Sequence, residues 1–345
     1  MADGMYRIGI VGAGSLVGKE LADELQDSLL AASDFILLDD EEVTGQVASV
    51  GDEAAFIQRI EPGSFDRMDF VFFAGTADST RKHWAAARRS GASIVDLTGA
   101  LEQEKGVLVR APWVNDALKV KSADAPDLST PAVVPAHAAA VMLGLVAARV
   151  GKVLPIRSLA ATVIEPASQH GREAMDELHQ QTVNLLSFQT LPREQYDAQV
   201  AFNVLPVLGE SAKVKLLTTE EQISRHYSTI GGVTLASLDI ELVQAPVFHG
   251  YVASVLLELD DDATVEDLER ALAGDSIDLV STDSEPPSNL SAAGQEDIMT
   301  RVRAAGTSAR RFWIWLAADN LKLSALNAIA CANELKRLRP RGKVQ

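Results

Sequence analysis

The stretch Arg7-Ile-Gly-Ile-Val-Gly-Ala-Gly-Ser-Leu-Val-Gly18 narrows the choice of fold more than any other part of the chain. Ile8 to Val11 is too continuously apolar for a surface loop and reads as a short buried strand. Gly12, Gly14 and Gly18 follow in the spacing G-x-G-x-x-x-G. From Lys19 the chain continues at helical spacing, with Leu21, Leu25 and Leu29 expected on one face. Each glycine answers a separate physical need. Gly12 permits a tight turn, Gly14 lets backbone approach a pyrophosphate, and Gly18 lets helix pack closely on strand. The N–H groups of Ser15, Leu16 and Val17, at the start of that helix, would then face the anion. Strand, turn and helix agree, and together they predict a Rossmann-type dinucleotide-binding fold.

The chain beyond this turn continues the pattern. Residues 35–38 read as a second strand ending at Asp39 and Asp40. An acid at that tip accepts the ribose hydroxyls of NAD and opposes the extra phosphate of NADP. Asp39, Asp40, Glu41 and Glu42 also form one acidic run, which a solvated turn would explain equally well. Strands are expected at 69–73 and 93–96 with a helix at 79–90 between them. Strands that alternate with helices and leave through small residues imply a parallel sheet with its loops at the carboxyl edge. Residues 115–131 read as connector and 138–150 as a helix of small residues.

Near Lys152 the texture changes. A β-branched, alternating strand is expected at 158–164, an amphipathic helix at 168–188, and antiparallel strands at 232–242 and 252–259. Thr264 and Asp267 cap a helix over 264–273. Residues 275–297 read as a polar excursion, 312–316 as a buried strand, and 320–338 as a last helix closed by basic residues. The expected fold class is α/β, with an N-terminal Rossmann-type parallel sheet (residues 1–135 plus 318–345) and an α+β second domain (136–317).

Composition limits the partners. The 345 residues suffice for two domains with full cores. A formal charge of −17 argues against nucleic acid, whose phosphates require a basic face. Cys331 is the single cysteine, so no intrachain disulfide can form and a reducing compartment is expected. No signal-peptide pattern and no apolar run of spanning length is present. The expectation is a cytoplasmic protein without membrane or nucleic-acid partners.

Five blocks in order resemble the aspartate-semialdehyde dehydrogenase family over nearly the whole chain. They are the glycine turn, Phe73-Ala74-Gly75, Ala201-Phe202-Asn203-Val204-Leu205-Pro206, Pro246-Val247-Phe248, and Ala318-Asp319-Asn320-Leu321 with Leu326-Asn327-Ala328. The resemblance implies that Ala74 and Gly75 lie beside the nicotinamide. It also implies a homodimer formed through the second domain, across its sheet and the helix near 170–188.

The catalytic set implied by the resemblance is replaced. That family's chemistry needs a cysteine thiolate, which makes the thiohemiacetal that gives up hydride. Its cysteine block matches Val134-Pro135-Ala136-His137-Ala138, so His137 stands at the nucleophile. Its assisting glutamine becomes Glu165 and its general-base histidine becomes Tyr251. The arginines that hold substrate and anion become Gln244 and Glu102, and an expected lysine becomes Ile223. Losing these cations removes the reason to bind a dicarboxylate or phosphate. The pattern looks like the Usg-type paralogues of the family, which keep the fold and lack the catalytic cysteine.

Three readings follow. The first is a catalytically degenerate protein that acts through binding or association, with NAD preferred over NADP if dinucleotide binding has outlasted the chemistry. The second is an NAD-dependent oxidoreductase acting on an aldehyde or oxo group of another small substrate. The third is new acid–base chemistry, or a His137/Glu165/His170 metal site. In all three, His137 and Glu165 are expected as neighbours in the cleft between domains, with the carboxylate raising the imidazole pKa. His170 and Tyr251 could face the same place.

Overall fold

The computed structural model describes residues 6–30, 34–40, 47–50, 53–119 and 125–338. The chain divides into two compact units, one of residues 1–115, 120–136 and 324–345, the other of residues 116–119 and 137–323.

The first unit contains β1 (Arg7–Val11), α1 (Leu16–Gln26), β2 (Asp34–Asp39), β3 (Val47–Val50), β4 (Glu53–Phe56), β5 (Gln58–Arg59), β6 (Phe70–Phe73), α2 (Ala77–Arg89), β7 (Ser93–Asp96), β8 (Leu108–Arg110), α3 (Pro112–Leu118) and β9 (Val133–Pro135). The final residues of α3 fall in the second unit. Seven strands form one parallel sheet in the order β5-β2-β1-β6-β7-β9-β8. Ile8, Ile10, Phe70 and Phe72 belong to one apolar cluster with Leu21 and Leu25 of α1. Val11, Val71, Phe73 and Ile94 belong to another with Ala87 of α2. Alternate residues of each strand thus feed opposite faces, and both faces are covered, which is why these strands are apolar throughout.

Helix α1 ends sooner than its leucine spacing predicts. Ser28 Oγ donates to Leu25 O and accepts from Leu30 N, turning the chain out of the helix. Leu30 is buried instead, and Leu29 stands exposed. Glu41 and Glu42 of the acidic run lie outside the described residues.

The second unit contains α4 (Ala138–Gly151), β10 (Ile156–Glu165), a 3-10 turn (Ala167–His170), α5 (Arg172–Leu186), α6 (Leu216–Gly231), β11 (Leu238–Gln244), β12 (Tyr251–Leu259), α7 (Val265–Leu272), β13 (Ile277–Leu279), β14 (Ile298–Ala304) and β15 (Arg311–Ala318). Helix α8 (Asn320–Leu338) begins in this unit and continues in the first. The sheet order is β11-β10-β12-β15-β14-β13. β11 and β12 run antiparallel to each other as expected but are not neighbours: β10 lies between them, parallel to β11 and antiparallel to β12, and β12, β15 and β14 follow as antiparallel neighbours. The expected helix over 168–188 is split at Gly171, whose φ of 85° separates the 3-10 turn from α5. Thr264 and Asp267 form the predicted capping box.

Along β10, Leu159, Ala161, Val163 and Glu165 are buried while Ala160 and Thr162 are exposed. The period of two therefore carries the glutamate onto the inner face. Gln244 lies in register beside it on β11, and Tyr251 begins the neighbouring strand β12 one step past the Ile164–Val252 pair. The inner face thus ends in a polar row, Gln244-Glu165-Tyr251, where apolar side chains would otherwise continue.

Candidate functional site

In the first unit the glycine turn is built as its spacing predicts. Gly12 has a φ of 82°, and a Cβ there would strike the backbone of Gly75. A Cβ on Gly18 would strike the carbonyl of Gly12. Ser15 caps α1, accepting from Gly18 N at 2.8 Å, and its hydroxyl donates to Ala74 O at 2.6 Å. Ala74 and Gly75 at the end of β6 are thereby locked against the turn.

Two details differ from the expectation. The Ser15 N–H is spent inside the turn on Gly12 O, so the anion-facing donors left at the start of the helix are those of Leu16 and Val17. Asp39 points back at the turn: one carboxylate oxygen accepts from Gly14 N at 3.0 Å and the other from Asp40 N at 2.9 Å. Asp40 has Lys82 and His83 of α2 at 3.9 and 3.7 Å. The close backbone approach and the helix N-terminus fit a pyrophosphate.

The polar row and its neighbours lie in the second unit. His137 is the N-cap of α4, its Nδ1 accepting from Ala139 N at 3.3 Å. Its own backbone N–H donates to Nδ1 of His226, a buried residue of α6, at 2.8 Å. Its Nε2 lies 3.2 Å from Gln169 Nε2 and 3.4 Å from the Tyr251 hydroxyl. Gln169 Oε1 accepts from Asn320 Nδ2 at 3.4 Å, and Asn320 Oδ1 accepts from Ser168 Oγ and Gly250 N.

Glu165 is fully buried, with His170 Nε2 at 2.9 Å from its Oε1. That contact is side-on, outside ordinary hydrogen-bond angles, so it acts chiefly as an ion pair when His170 is charged. Tyr251 lies across from Glu165 at the start of β12; burial first, and then the nearby carboxylate's charge, push the phenol well above its usual pKa of 10.

His137 and Glu165 therefore do not form the direct pair expected from sequence. His137 Nε2 faces Gln169 and Tyr251, and the carboxylate's ion-pair partner is His170. The expected rise in the His137 pKa is reversed. Removal from water, reinforced by His226 and His170, lowers it to about 3, so the imidazole is neutral at physiological pH. Among the described residues no group of three or more His, Cys, Asp and Glu side chains could hold a metal ion, which sets aside the His137/Glu165/His170 metal reading.

Gln244 turns its amide into the sheet, donating to Glu165 O at 3.1 Å and Ala245 O at 3.0 Å, and Ile223 is buried in α6. Neither supplies a charge. His226, Gln169 and Asn320 are site residues that sequence reasoning does not single out. Asn320 does lie inside a matched block, but none of those blocks contains Gln169 or His226.

Comparison with known proteins agrees with this architecture. Residues 7–125 match the semialdehyde dehydrogenase NAD binding domain, and residues 148–323 match the semialdehyde dehydrogenase dimerisation domain. A USG-1 protein homolog of Pseudomonas aeruginosa is 31% identical, covering 93% of this chain and 95% of its own. The aspartate-semialdehyde dehydrogenase of Bacillus subtilis is 25% identical, covering 98% of this chain and 99% of its own. The structure of a probable aspartate-semialdehyde dehydrogenase from Pseudomonas aeruginosa superposes with a TM-score of 0.86 at 27% identity, covering 97% of this chain and 99% of that one. With both of its domains matched and its fold shared end to end, the chain belongs to the aspartate-semialdehyde dehydrogenase family.

Proposed function

We propose that this chain is a catalytically degenerate member of its family, a dinucleotide-binding homodimer that acts through binding or association and lacks phosphorylating dehydrogenase activity. One observation carries the reading. Position 137, which resembles the family's nucleophile, holds a neutral imidazole that caps its own helix, and the backbone N–H beside it is taken by His226. A thiohemiacetal needs a thiolate. Cys331 is no replacement: it is fully buried, desolvation pushes its pKa well above 9, and its Sγ faces Arg110 O. Gln244 and Ile223 leave no cation where a substrate carboxylate would bind.

The test is direct. The purified chain is mixed with aspartate semialdehyde, phosphate and NAD or NADP, and formation of the reduced cofactor is followed. No turnover above background is expected. A kcat of about 1 s⁻¹ or more, the ordinary range for enzymes, would refute the reading.

NAD is favoured over NADP because Asp39 places a carboxylate at the glycine turn. The homodimer rests on the matched dimerisation domain and on apolar side chains left open in the second unit. Phe188, just past α5, is 99% exposed, Leu186 is 70% exposed, and Trp315 of β15 is 38% exposed.

A second reading, an NAD-dependent oxidoreductase acting on an aldehyde or oxo group of another small substrate, is favoured by the contact of the His137 imidazole with the Tyr251 hydroxyl. Hydride transfer needs a positioned proton donor or acceptor, and it does not always need cysteine. Cofactor turnover with a panel of small aldehydes and hydroxy acids would separate the two readings.

A further inference from the structure

We infer that two copies of this chain meet through the outer face of the second unit's sheet, with the two-fold axis along β12, so that Asp239 of each copy pairs with Arg303 of the other. The inference rests on the homodimer proposed above. It adds which face is used, which way the axis runs and which side chains meet.

The inner face of the sheet is closed, with Leu159, Ala161 and Val163 of β10 and Val255 and Leu257 of β12 all buried. The outer face is open, and strand register sets its side chains in rows. One row runs Asp239, Ala160, Leu256, Trp313, Arg303, across β11, β10, β12, β15 and β14. The next runs Glu241, Thr162, Ser254, Trp315, Arg301 across the same strands. Each row has an acid two strands to one side of β12 and an arginine two strands to the other. Asp239, Glu241 and Arg303 are exposed, as are Ala160, Thr162 and Trp315. Among the described residues neither acid has an ion-pair partner within the chain. The cations are held over the face: Arg303 lies 5.6 Å from the centre of the Trp313 ring, and Arg301 donates to the carbonyls of Ser281 and Ser284.

Charge and shape then choose the axis. Two sheets stacked face to face keep their strands aligned to within about 30°. A two-fold axis lying between them runs either along the strands or across them. Along β12, it sets each row against its own copy in reverse. Leu256 and Ser254 meet themselves, Ala160 and Thr162 meet the two indoles of the partner, and each acid meets an arginine. Small side chains lie opposite large ones and every charge finds its opposite. Across the strands, the axis sets one row against the other without reversal. Asp239 would then meet Glu241, Arg303 would meet Arg301, and the indoles would collide. Only the axis along β12 closes a self-complementary contact free of like-charge pairs.

The experiment is a charge swap in the full-length chain, read by sedimentation over a dilution series at low salt. Asp239→Arg and Arg303→Asp each place two like-charged pairs in their own homodimer, and each should weaken it at least about tenfold. Mixed in equal amounts, the two variants regain opposite charges at both contacts. They should form a heterodimer of near wild-type affinity, and the double variant should dimerise with itself. Recovery in the mixture also shows that both variants are folded. Asp239→Asn and Arg303→Gln make the same test without repulsion: combined, they should lose no more affinity than either alone. A wild-type dimer that ignores all these changes, or folded variants that fail to rescue each other, would overturn the inference and leave the homodimer standing, with this face free for another partner. A wild-type monomer would instead overturn the homodimer reading and this inference with it.

Discussion

Acidification should weaken this protein through one imidazole, and His137→Asn isolates the effect. Folded His137 takes a proton only near pH 3, whereas the same ring in an unfolded chain takes it near 6.5. Between those values the unfolded state binds more protons, so stability from this residue is complete above pH 6.5 and falls as pH falls through the window. At pH 5 the ring lies about 1.5 units below its unfolded value, which corresponds to about 2 kcal/mol. For a unit of about 190 residues that amounts to roughly 5 °C in Tm. Asparagine is itself a good N-cap and can still accept from Ala139 N, so α4 should keep its start while losing the titration. Thermal unfolding of both proteins at equal concentration, at pH 7.5 and pH 5, measures the difference. The wild-type advantage over the variant should shrink by about 5 °C at the lower pH. Parallel pH profiles would show that His137 is not held neutral by the fold.

Gly12→Ala should cost about 3 kcal/mol or more in urea unfolding and abolish nucleotide retention, because its Cβ must enter the Gly75 backbone at a φ of 82°. Asp39→Asn keeps an acceptor for Gly14 N but removes the charge, so calorimetry should find the NAD-to-NADP affinity ratio lowered about tenfold; an unchanged ratio would refute the role given to Asp39. Phe188→Asp should convert a sedimenting dimer to monomer at micromolar concentration, and a wild-type monomer would refute the dimer itself. Glu334→Ala removes the bidentate partner of the buried Arg110 and should lower stability by about 3 kcal/mol; a loss below about 0.5 kcal/mol would mean the pair contributes little.

Legibility in the sequence follows physical necessity. The first strand, turn and helix can be read because Gly12 and Gly18 sit where no side chain fits, and that requirement leaves its mark on the residues themselves. Helix α6 escapes such a reading because it opens on Lys215 without a side-chain cap, although its inward residues Leu216, Ile223, Tyr227 and Ile230 do fall at helical spacing. The hairpin of β3 and β4 and the strand β14 escape it as well. The insertion of β10 between β11 and β12 escapes it too, because an alternating strand says which face is buried but nothing about which strand lies beside it. At the site, sequence brings forward His137, Glu165 and Tyr251, and the fold does gather them. It does not tell that Tyr251 rather than Glu165 meets His137, or that His170 takes the carboxylate. Those outcomes depend on where the turn after β10 directs each side chain, and periodicity stops at the end of the strand.

Ala325, Ala328, Ile329, Cys331, Ala332 and Leu335 of α8 share a core with Ile8, Ile10 and Phe70, so the earliest strands of the chain are covered by nearly its latest residues. On the ribosome this imposes an order of events. Residues 137–323 must be made after β9 and before that helix can dock. At 5–20 residues per second this is an interval of roughly ten to forty seconds. Throughout it, one side of the nascent parallel sheet lacks the cover of α8, and its apolar residues there are open to chaperones and to other nascent chains. The second unit, contiguous apart from residues 116–119 at the end of α3, can close as soon as it emerges. The half of the molecule that is synthesised first is therefore the half that finishes folding last.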